Sequence, residues 1–218
     1  AKPFFVRASD NYSVPTSSKG RMPMKLLKPI FVVVVLCGAA KLLYPTLPLH
    51  YQHAIYDWYA RLGTPTYSES PDYYSMRDQA AVISENQARG HKLKCYGNLG
   101  PAERINAQND YLCSANISNA YDNIPARLVT FFFSKNKLTN VRFEFAAGSF
   151  ERLEDYLLRK LADYPRLDQM PGAQFGTDPF GKKLVVWRVK EGLITAAAAD
   201  TPGQNPIILW SGYQLSRL

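Results

Sequence analysis

Histidine is the side chain most often recruited for catalysis and metal binding, and this sequence has three, at positions 50, 53 and 91. His50 and His53 are three residues apart, so on a helix they would share one face and could ligate a metal ion or a haem. Two ligands do not by themselves complete such a site. We therefore interpret the pair as packing at an interface or as contacting a partner, with a partner's cofactor as an alternative contact.

The remaining histidine, His91, lies in a polar Gly-His-Lys segment that is typical of a solvated turn. A Ser-His-Asp triad would have to be built around it. The acidic residues Glu151, Glu154 and Asp155 fall on or near the exposed face of a predicted helix, where solvated charges are expected rather than a general acid and base. The Gly97–Gly100 segment lacks the lysine and Ser/Thr of a phosphate-binding loop. The sequence thus predicts a protein that is not an enzyme, with no catalytic residue, no cofactor and no metal.

Cysteine chemistry is limited to Cys37, Cys95 and Cys113. In an oxidising compartment, Cys95 and Cys113 would most simply form a structural disulfide. The bond would clamp a short helix that is predicted between them. A metal or redox pair is disfavoured because the spacing is not C-x-x-C. Two independent buried thiols are the other alternative.

The longest apolar run lies near the N-terminus, between Lys28 and Lys41. With its flanks it covers residues 26–45, and a helix of about 20 residues rises roughly 30 Å, the thickness of the hydrocarbon core of a bilayer. Lysine side chains at both ends can reach the headgroups. This pattern predicts one transmembrane helix. The alternatives are a buried core helix, an interfacial segment, or a signal peptide cleaved near residues 38–40, although the chain continues on both sides of that point.

Basic residues are concentrated before this segment. The chain has a formal net charge of +8, and residues 1–28 contain six lysine and arginine residues against one aspartate. The positive-inside rule therefore predicts a basic cytoplasmic tail over residues 1–25, with residues 46 onward in the periplasm of a bacterium whose inner membrane holds the chain. The rest of the chain is nearly neutral and lacks the basic, aromatic face of a nucleic-acid-binding protein. No nucleic-acid partner is predicted.

Aromatic side chains follow the apolar segment. Residues 46–76 are predicted to form an interfacial helix, from about residue 49 to residue 62, and then an extended strap rich in proline, serine and tyrosine. Aromatic rings are enriched at protein interfaces. With the aromatic residues of the tail, those predicted to contact a partner are Phe4, Phe5, Tyr12, Tyr51, Tyr56, Trp58, Tyr59, Tyr67, Tyr73 and Tyr74.

From residue 77 to residue 218 the sequence has the composition of a folded domain. Helices are predicted over residues 78–88, near residues 100–105, and after a capping Ser149. The last helix has one apolar face, made of Phe150, Leu153, Leu157, Leu158 and Leu161. Strands are predicted over residues 127–133, 138–145, 184–189, 193–199 and 207–213. The predicted fold class is α+β, an antiparallel sheet packed against helices.

These features predict a non-catalytic, single-pass accessory or structural subunit of a larger inner-membrane protein complex. Its partners would be the other subunits of a hetero-oligomer and membrane lipids, and a bioenergetic complex is a candidate host. The subunit would cap or stabilise the complex on its periplasmic side. The alternative is a membrane-tethered periplasmic binding or assembly factor for envelope clients.

Overall fold

The computed structural model describes residues 24–172, 176–177, 181–197 and 204–213. Residues 1–23 lie outside this set. Most of the predicted cytoplasmic tail and the predicted contacts of Phe4, Phe5 and Tyr12 therefore also lie outside the described residues. The chain divides into two compact units, Ala1–Leu47 and Pro48–Leu218. Each unit is described by itself below.

The first unit contains one long helix, α1 (Met24–Leu43), which continues into a single 3-10 turn at Tyr44–Thr46. Several of its apolar side chains are exposed, namely Val32, Val33, Val35, Leu36, Leu42 and Leu43. Across the described ranges, no helix combines the length and the apolar character that crossing a bilayer requires. The predicted helix is therefore present, but its predicted passage through a membrane has no support from the structure.

The second unit is an α+β fold, as the sequence predicts. Its helices are α2 (Leu49–Arg61), α3 (Gln79–Ala88) and α4 (Phe150–Lys160). Its strands are β1 (Lys94–Gly97), β2 (Tyr111–Asn116), β3 (Asn119–Ala120), β4 (Ile124–Ser134), β5 (Lys137–Phe145), β6 (Leu184–Val189), β7 (Gly192–Ala197) and β8 (Ile207–Gly212). They form an eight-stranded sheet in the order β1-β2-β4-β5-β8-β7-β6, with β3 paired to β4. The strand pairs are antiparallel.

The β4–β5 hairpin is at the centre of the sheet and confirms the strands predicted over residues 127–133 and 138–145. Ser134 pairs with Lys137, so the connecting turn has two residues. These residues, Lys135 and Asn136, have φ angles of 50° and 60°. Positive φ at both positions matches the right-handed twist of the two strands.

The core lies on one face of this hairpin. Phe131, Phe133, Phe143 and Phe145 are buried there and belong to the same apolar cluster as Leu153, Leu157 and Leu161, from α4 and the residue after it. The predicted apolar face of α4 is confirmed for these three leucines. Leu158 was predicted on the same face but is 47% exposed. It follows Leu157 by about 100° around the helix, which turns it away from the sheet.

The strands β1 and β2 were not predicted from the sequence pattern. Between them, the predicted short helix is one 3-10 turn at Pro101–Glu103. Cys95 on β1 pairs directly with Cys113 on β2, and a disulfide joins them with a Cα–Cα distance of 4.0 Å. The predicted disulfide is therefore confirmed, but it ties two neighbouring strands together and does not clamp the short helix.

Candidate functional site

The candidate site is the segment that leads into the sheet, α2 followed by the strap (residues 63–76). The predicted helix at residues 49–62 is confirmed by α2 (Leu49–Arg61). It starts after Pro48, whose fixed φ of −52° suits the position before a first turn. It stops at Leu62, where the backbone is extended, and Gly63 follows with a φ of +71°. The helix is thus bounded by local backbone geometry at both ends.

The described side chains of α2 leave an unusual amount of apolar surface in contact with solvent. Tyr51 is 55% exposed, Tyr56 57%, Trp58 59% and Tyr59 70%, and Ile55 adds a further 42%. Tyr51, Tyr56, Trp58 and Tyr59 are four of the predicted contact residues, so each has surface available to a partner. The side chains of His50 and His53 lie outside what the structure describes.

The strap is bound to the second unit along its length. The amide of Ser118 donates to the carbonyl of Pro65 at 3.1 Å, and the amide of Tyr67 donates to the carbonyl of Asn119 at 2.8 Å. Near the middle of the strap, the Tyr164 hydroxyl donates to a carboxylate oxygen of Asp72 at 3.1 Å. The sequence predicts a strap lying over another surface, and the structure shows that this surface belongs to the same chain.

Two of the strap tyrosines predicted to contact a partner lie in the core instead. Tyr67 is 2% exposed and Tyr74 is 1% exposed. The Tyr67 ring centroid is 5.2 Å from that of Phe143, and the Tyr74 centroid is 5.7 Å from that of Trp210. Because these rings pack against other residues of the same chain, Tyr67 and Tyr74 have almost no exposed surface with which to contact a partner. Tyr73, by contrast, is 43% exposed.

His91 also differs from its predicted position in a solvated turn. It is 3% exposed, and its ring centroid lies 5.2 Å from that of Tyr67. Burial, reinforced by the nearby positive charge of Arg89, lowers the pKa of His91. Tyr67 of the strap covers this histidine. The polar residues next to His91 in the sequence do not indicate that it is buried.

Several buried polar atoms of the second unit have no hydrogen-bond partner. Among the described residues, the buried side-chain atoms without a hydrogen-bond partner are Tyr74 Oη, Arg77 Nε, Asn86 Oδ1, His91 Nδ1 and Trp210 Nε1. Burial raises the pKa of Tyr67 and Tyr74, so both hydroxyls stay protonated at neutral pH. Among these residues, His91 is therefore the group whose charge can change near neutral pH.

Other arrangements that could carry chemistry are on the surface of α4. A shallow cavity of about 130 Å³ is lined by Asp122, Ile124, Arg152, Asp155, Tyr156 and Arg159. Asp155 and Glu154 are exposed on the helix, as predicted for solvated charges. Within the ranges that the structure describes, no group of three His, Cys, Asp or Glu side chains could hold a metal ion.

Comparison of the chain with protein-family models, with curated proteins and with solved structures finds no match in any of the three. The surface and packing of the chain itself are therefore the basis for its proposed function.

Proposed function

We propose that the chain is a non-catalytic, single-pass accessory subunit of a larger inner-membrane protein complex. Its basic tail lies in the cytoplasm, and its α+β unit caps or stabilises the complex on the periplasmic side. The observation that carries this proposal is the exposed aromatic surface of α2, in a unit whose other two tryptophans, Trp187 and Trp210, are buried. A bioenergetic complex is one candidate host.

The contrast within the second unit supports a partner for α2. Trp187 is 4% exposed and Trp210 is 1% exposed, whereas Trp58 on α2 is 59% exposed. Covering roughly 100 Å² of one such ring contributes about 2.5 kcal/mol. Several rings on one helix therefore provide enough free energy to hold a subunit in an assembly, and they would favour aggregation if they were left uncovered.

The first unit supports the proposed location. The apolar run between Lys28 and Lys41 is followed by an aromatic-rich segment and preceded by an excess of basic residues. The exposed apolar side chains of α1 would be covered by lipid and by neighbouring helices. A disulfide between Cys95 and Cys113 is stable in an oxidising compartment such as the periplasm.

The experiment that tests this function is native purification of the full chain through a C-terminal tag in mild detergent, followed by mass spectrometry of the co-purifying proteins. We expect stoichiometric recovery of one set of membrane proteins. A tagged single-pass protein with an unrelated periplasmic domain is the control for non-specific recovery. Recovery of a well-folded monomer with a protease-sensitive tail would contradict the proposal.

The second candidate is a membrane-tethered periplasmic binding or assembly factor. One observation favours it: Leu128, Arg142 and Leu209 share the sheet face opposite the core, and their side chains are only half-buried. Such a mixed face could hold a client peptide. This hypothesis predicts that many clients are recovered in substoichiometric amounts in the same purification. The subunit hypothesis predicts one stoichiometric set of membrane proteins.

A further inference from the structure

We infer that β1, the end strand of the sheet, binds an extended segment of another protein that carries acidic side chains. The segment would add a strand to the sheet through backbone hydrogen bonds, the binding mode called β-augmentation. This inference rests on the proposed function, because it names the kind of segment through which a host subunit contacts the α+β unit.

The first step of the argument is the open backbone of β1. The Cα atoms of Cys95 and Cys113 are 4.0 Å apart. Such a short separation marks an antiparallel pair that does not exchange backbone hydrogen bonds, so the N–H and C=O groups of Cys95 point away from β2. Gly97, two residues further along, has the same orientation. Within the described part of the chain, β1 pairs only with β2, and no hydrogen bond reaches these outward groups.

The other end of the sheet, β6, is closed by the chain itself. The amide of Arg188 on β6 donates to the carbonyl of Pro165 at 3.0 Å, and the amide of Val186 donates to a carboxylate oxygen of Asp168, also at 3.0 Å. Arg166 holds that carboxylate with two hydrogen bonds of 2.9 and 2.7 Å. The loop before β6 thus provides partners for the outward amides of this strand, whereas β1 keeps its outward donors and acceptors for a strand from another chain.

The edge of β1 is also rigid and accessible. The disulfide fixes β1 to β2, so a partner does not have to order the strand in order to bind it. Three of its four residues, Lys94, Tyr96 and Gly97, are exposed. Lys94 and Tyr96 are two residues apart and therefore lie on the same face of the sheet. An added strand would lie beside both side chains.

Charge selects the kind of segment that fits this edge. Residues 86–102 contain Arg89, Lys92 and Lys94 and no acidic residue. Arg89 is paired with Glu69 of the strap, whereas Lys92 and Lys94 are exposed and form no ion pair with the carboxylates that the structure describes. Like charges on neighbouring strands destabilise a pair and opposite charges stabilise it. The two lysines therefore disfavour a second copy of this chain, which carries the same lysines, and favour a strand with acidic side chains.

The test uses the full chain in mild detergent and a short fluorescent peptide in which glutamate alternates with valine. Fluorescence anisotropy would measure binding, and hydrogen exchange would follow the amides of β1. We expect the peptide to bind, to slow the exchange of the Cys95 and Gly97 amides, and to bind more weakly as the salt concentration rises. A matched peptide in which lysine alternates with valine should not bind.

A variant of the backbone tests the hydrogen bonds. Gly97→Pro removes one outward N–H, and proline is tolerated in end strands at positions whose N–H faces away from the sheet. We expect it to weaken binding of the glutamate peptide about tenfold. Gly97→Ala is the matched control, because it keeps the N–H and its added Cβ would lie 3.4 Å from the ring of Tyr111. It should bind as the wild type does.

A variant of the charges tests the choice of segment, and it remains informative if Gly97→Pro does not fold. Lys92→Glu with Lys94→Glu should reverse the preference, so that the lysine peptide binds and the glutamate peptide does not. Lys160→Glu with Lys190→Glu makes the same change of net charge at exposed positions outside β1. This control should keep the preference of the wild type.

Three outcomes would overturn the inference: no binding of the glutamate peptide, equal binding of the two peptides, or binding that does not slow exchange in β1. Each of them leaves the proposed function standing if the native purification still recovers one stoichiometric set of membrane proteins. Binding of the glutamate peptide at β1, with recovery of the chain alone in the native purification, would instead contradict the subunit function and leave β1 as a site for acidic extended segments.

Discussion

At the scale of single residues, the contact between His91 and Tyr67 explains how the strap is held. The imidazole lies against the Tyr67 ring, and the Tyr67 ring lies against Phe131 and Phe143. The strap carboxylate Glu69 also pairs with Arg89, two residues before His91. A change of charge on His91 therefore acts on the contact that holds the strap to the sheet.

This contact predicts a pH dependence of stability. The pKa of His91 is lowered below its ordinary value of 6.5 in the folded chain, so the unfolded chain binds the proton more readily. The contribution of His91 is complete above pH 6.5 and is lost as the pH falls from there toward the folded pKa. The greatest slope from one such group is about 1.4 kcal/mol per pH unit. Chemical denaturation between about pH 5 and pH 7.5, the range in which histidine titrates, would measure this slope.

The matched control is His91→Gln, which keeps a polar side chain but does not titrate in this range. We expect its free energy of unfolding to change less with pH than that of the wild type. Asp72 and Asp168 have lowered pKa values and titrate below 3.8, so they do not contribute in this window. Parallel pH profiles of the two proteins would show that His91 is not the sensitive group.

At the scale of elements, the disulfide stabilises β1, which is the end strand of the sheet on its side. Replacing both Cys95 and Cys113 with alanine should lower the free energy of unfolding by about 3 kcal/mol, because the loop between them gains freedom in the unfolded chain. Hydrogen exchange should accelerate most in β1 and its partner β2. The control is Cys37→Ala, in the first unit, which should leave the second unit unchanged. Uniform acceleration across the sheet would contradict this local role.

The sequence predicts those elements that have a clear period of their own. In β5, Val141, Phe143 and Phe145 alternate with polar residues, β4 contains a run of apolar and aromatic residues, and α4 has leucines at helical spacing, so each is visible from its own residues. β1 has four residues, of which Cys95 is half-buried and the others are exposed, so it is too short for a period to stand out. Its pairing depends on β2, which lies beyond the Pro101–Glu103 turn.

The positions of Tyr67, Tyr74 and His91 could not be read from the sequence for a related reason. Tyrosine is equally suited to a core and to an interface, because it has an apolar ring and a polar tip. His91 is covered by Tyr67, a residue far away in the sequence, and its polar neighbours favour exposure. The exposed aromatic residues of α2 could be predicted because they occur together on one amphipathic helix.

At the scale of the whole molecule, the strap moves the start of the folded domain toward the N-terminus. The sequence predicts a domain over residues 77–218, but the strap before it contributes two buried tyrosines and backbone hydrogen bonds to Ser118 and Asn119. The residue that follows the strap is also tied to the sheet, since the amide of Leu138 donates to the carbonyl of Arg77 at 2.8 Å. A fragment released at residue 77 would therefore lack part of its own core.

This difference predicts the behaviour of two fragments. The fragment 64–218 should unfold cooperatively, whereas the fragment 77–218 should be unstable. The shorter fragment lacks the rings of Tyr67 and Tyr74, and removing a large buried aromatic side chain costs about 3–5 kcal/mol. The free energy of unfolding of a typical domain is only about 5–15 kcal/mol. Thermal unfolding followed by circular dichroism would measure both. Adding a synthetic peptide of residues 64–76 to the shorter fragment should restore part of the stability, since the peptide can supply the same rings. Equal stability of the two fragments would show that the strap is not part of the core. Client-binding tests of the second unit could then start at residue 77; otherwise they must include the strap.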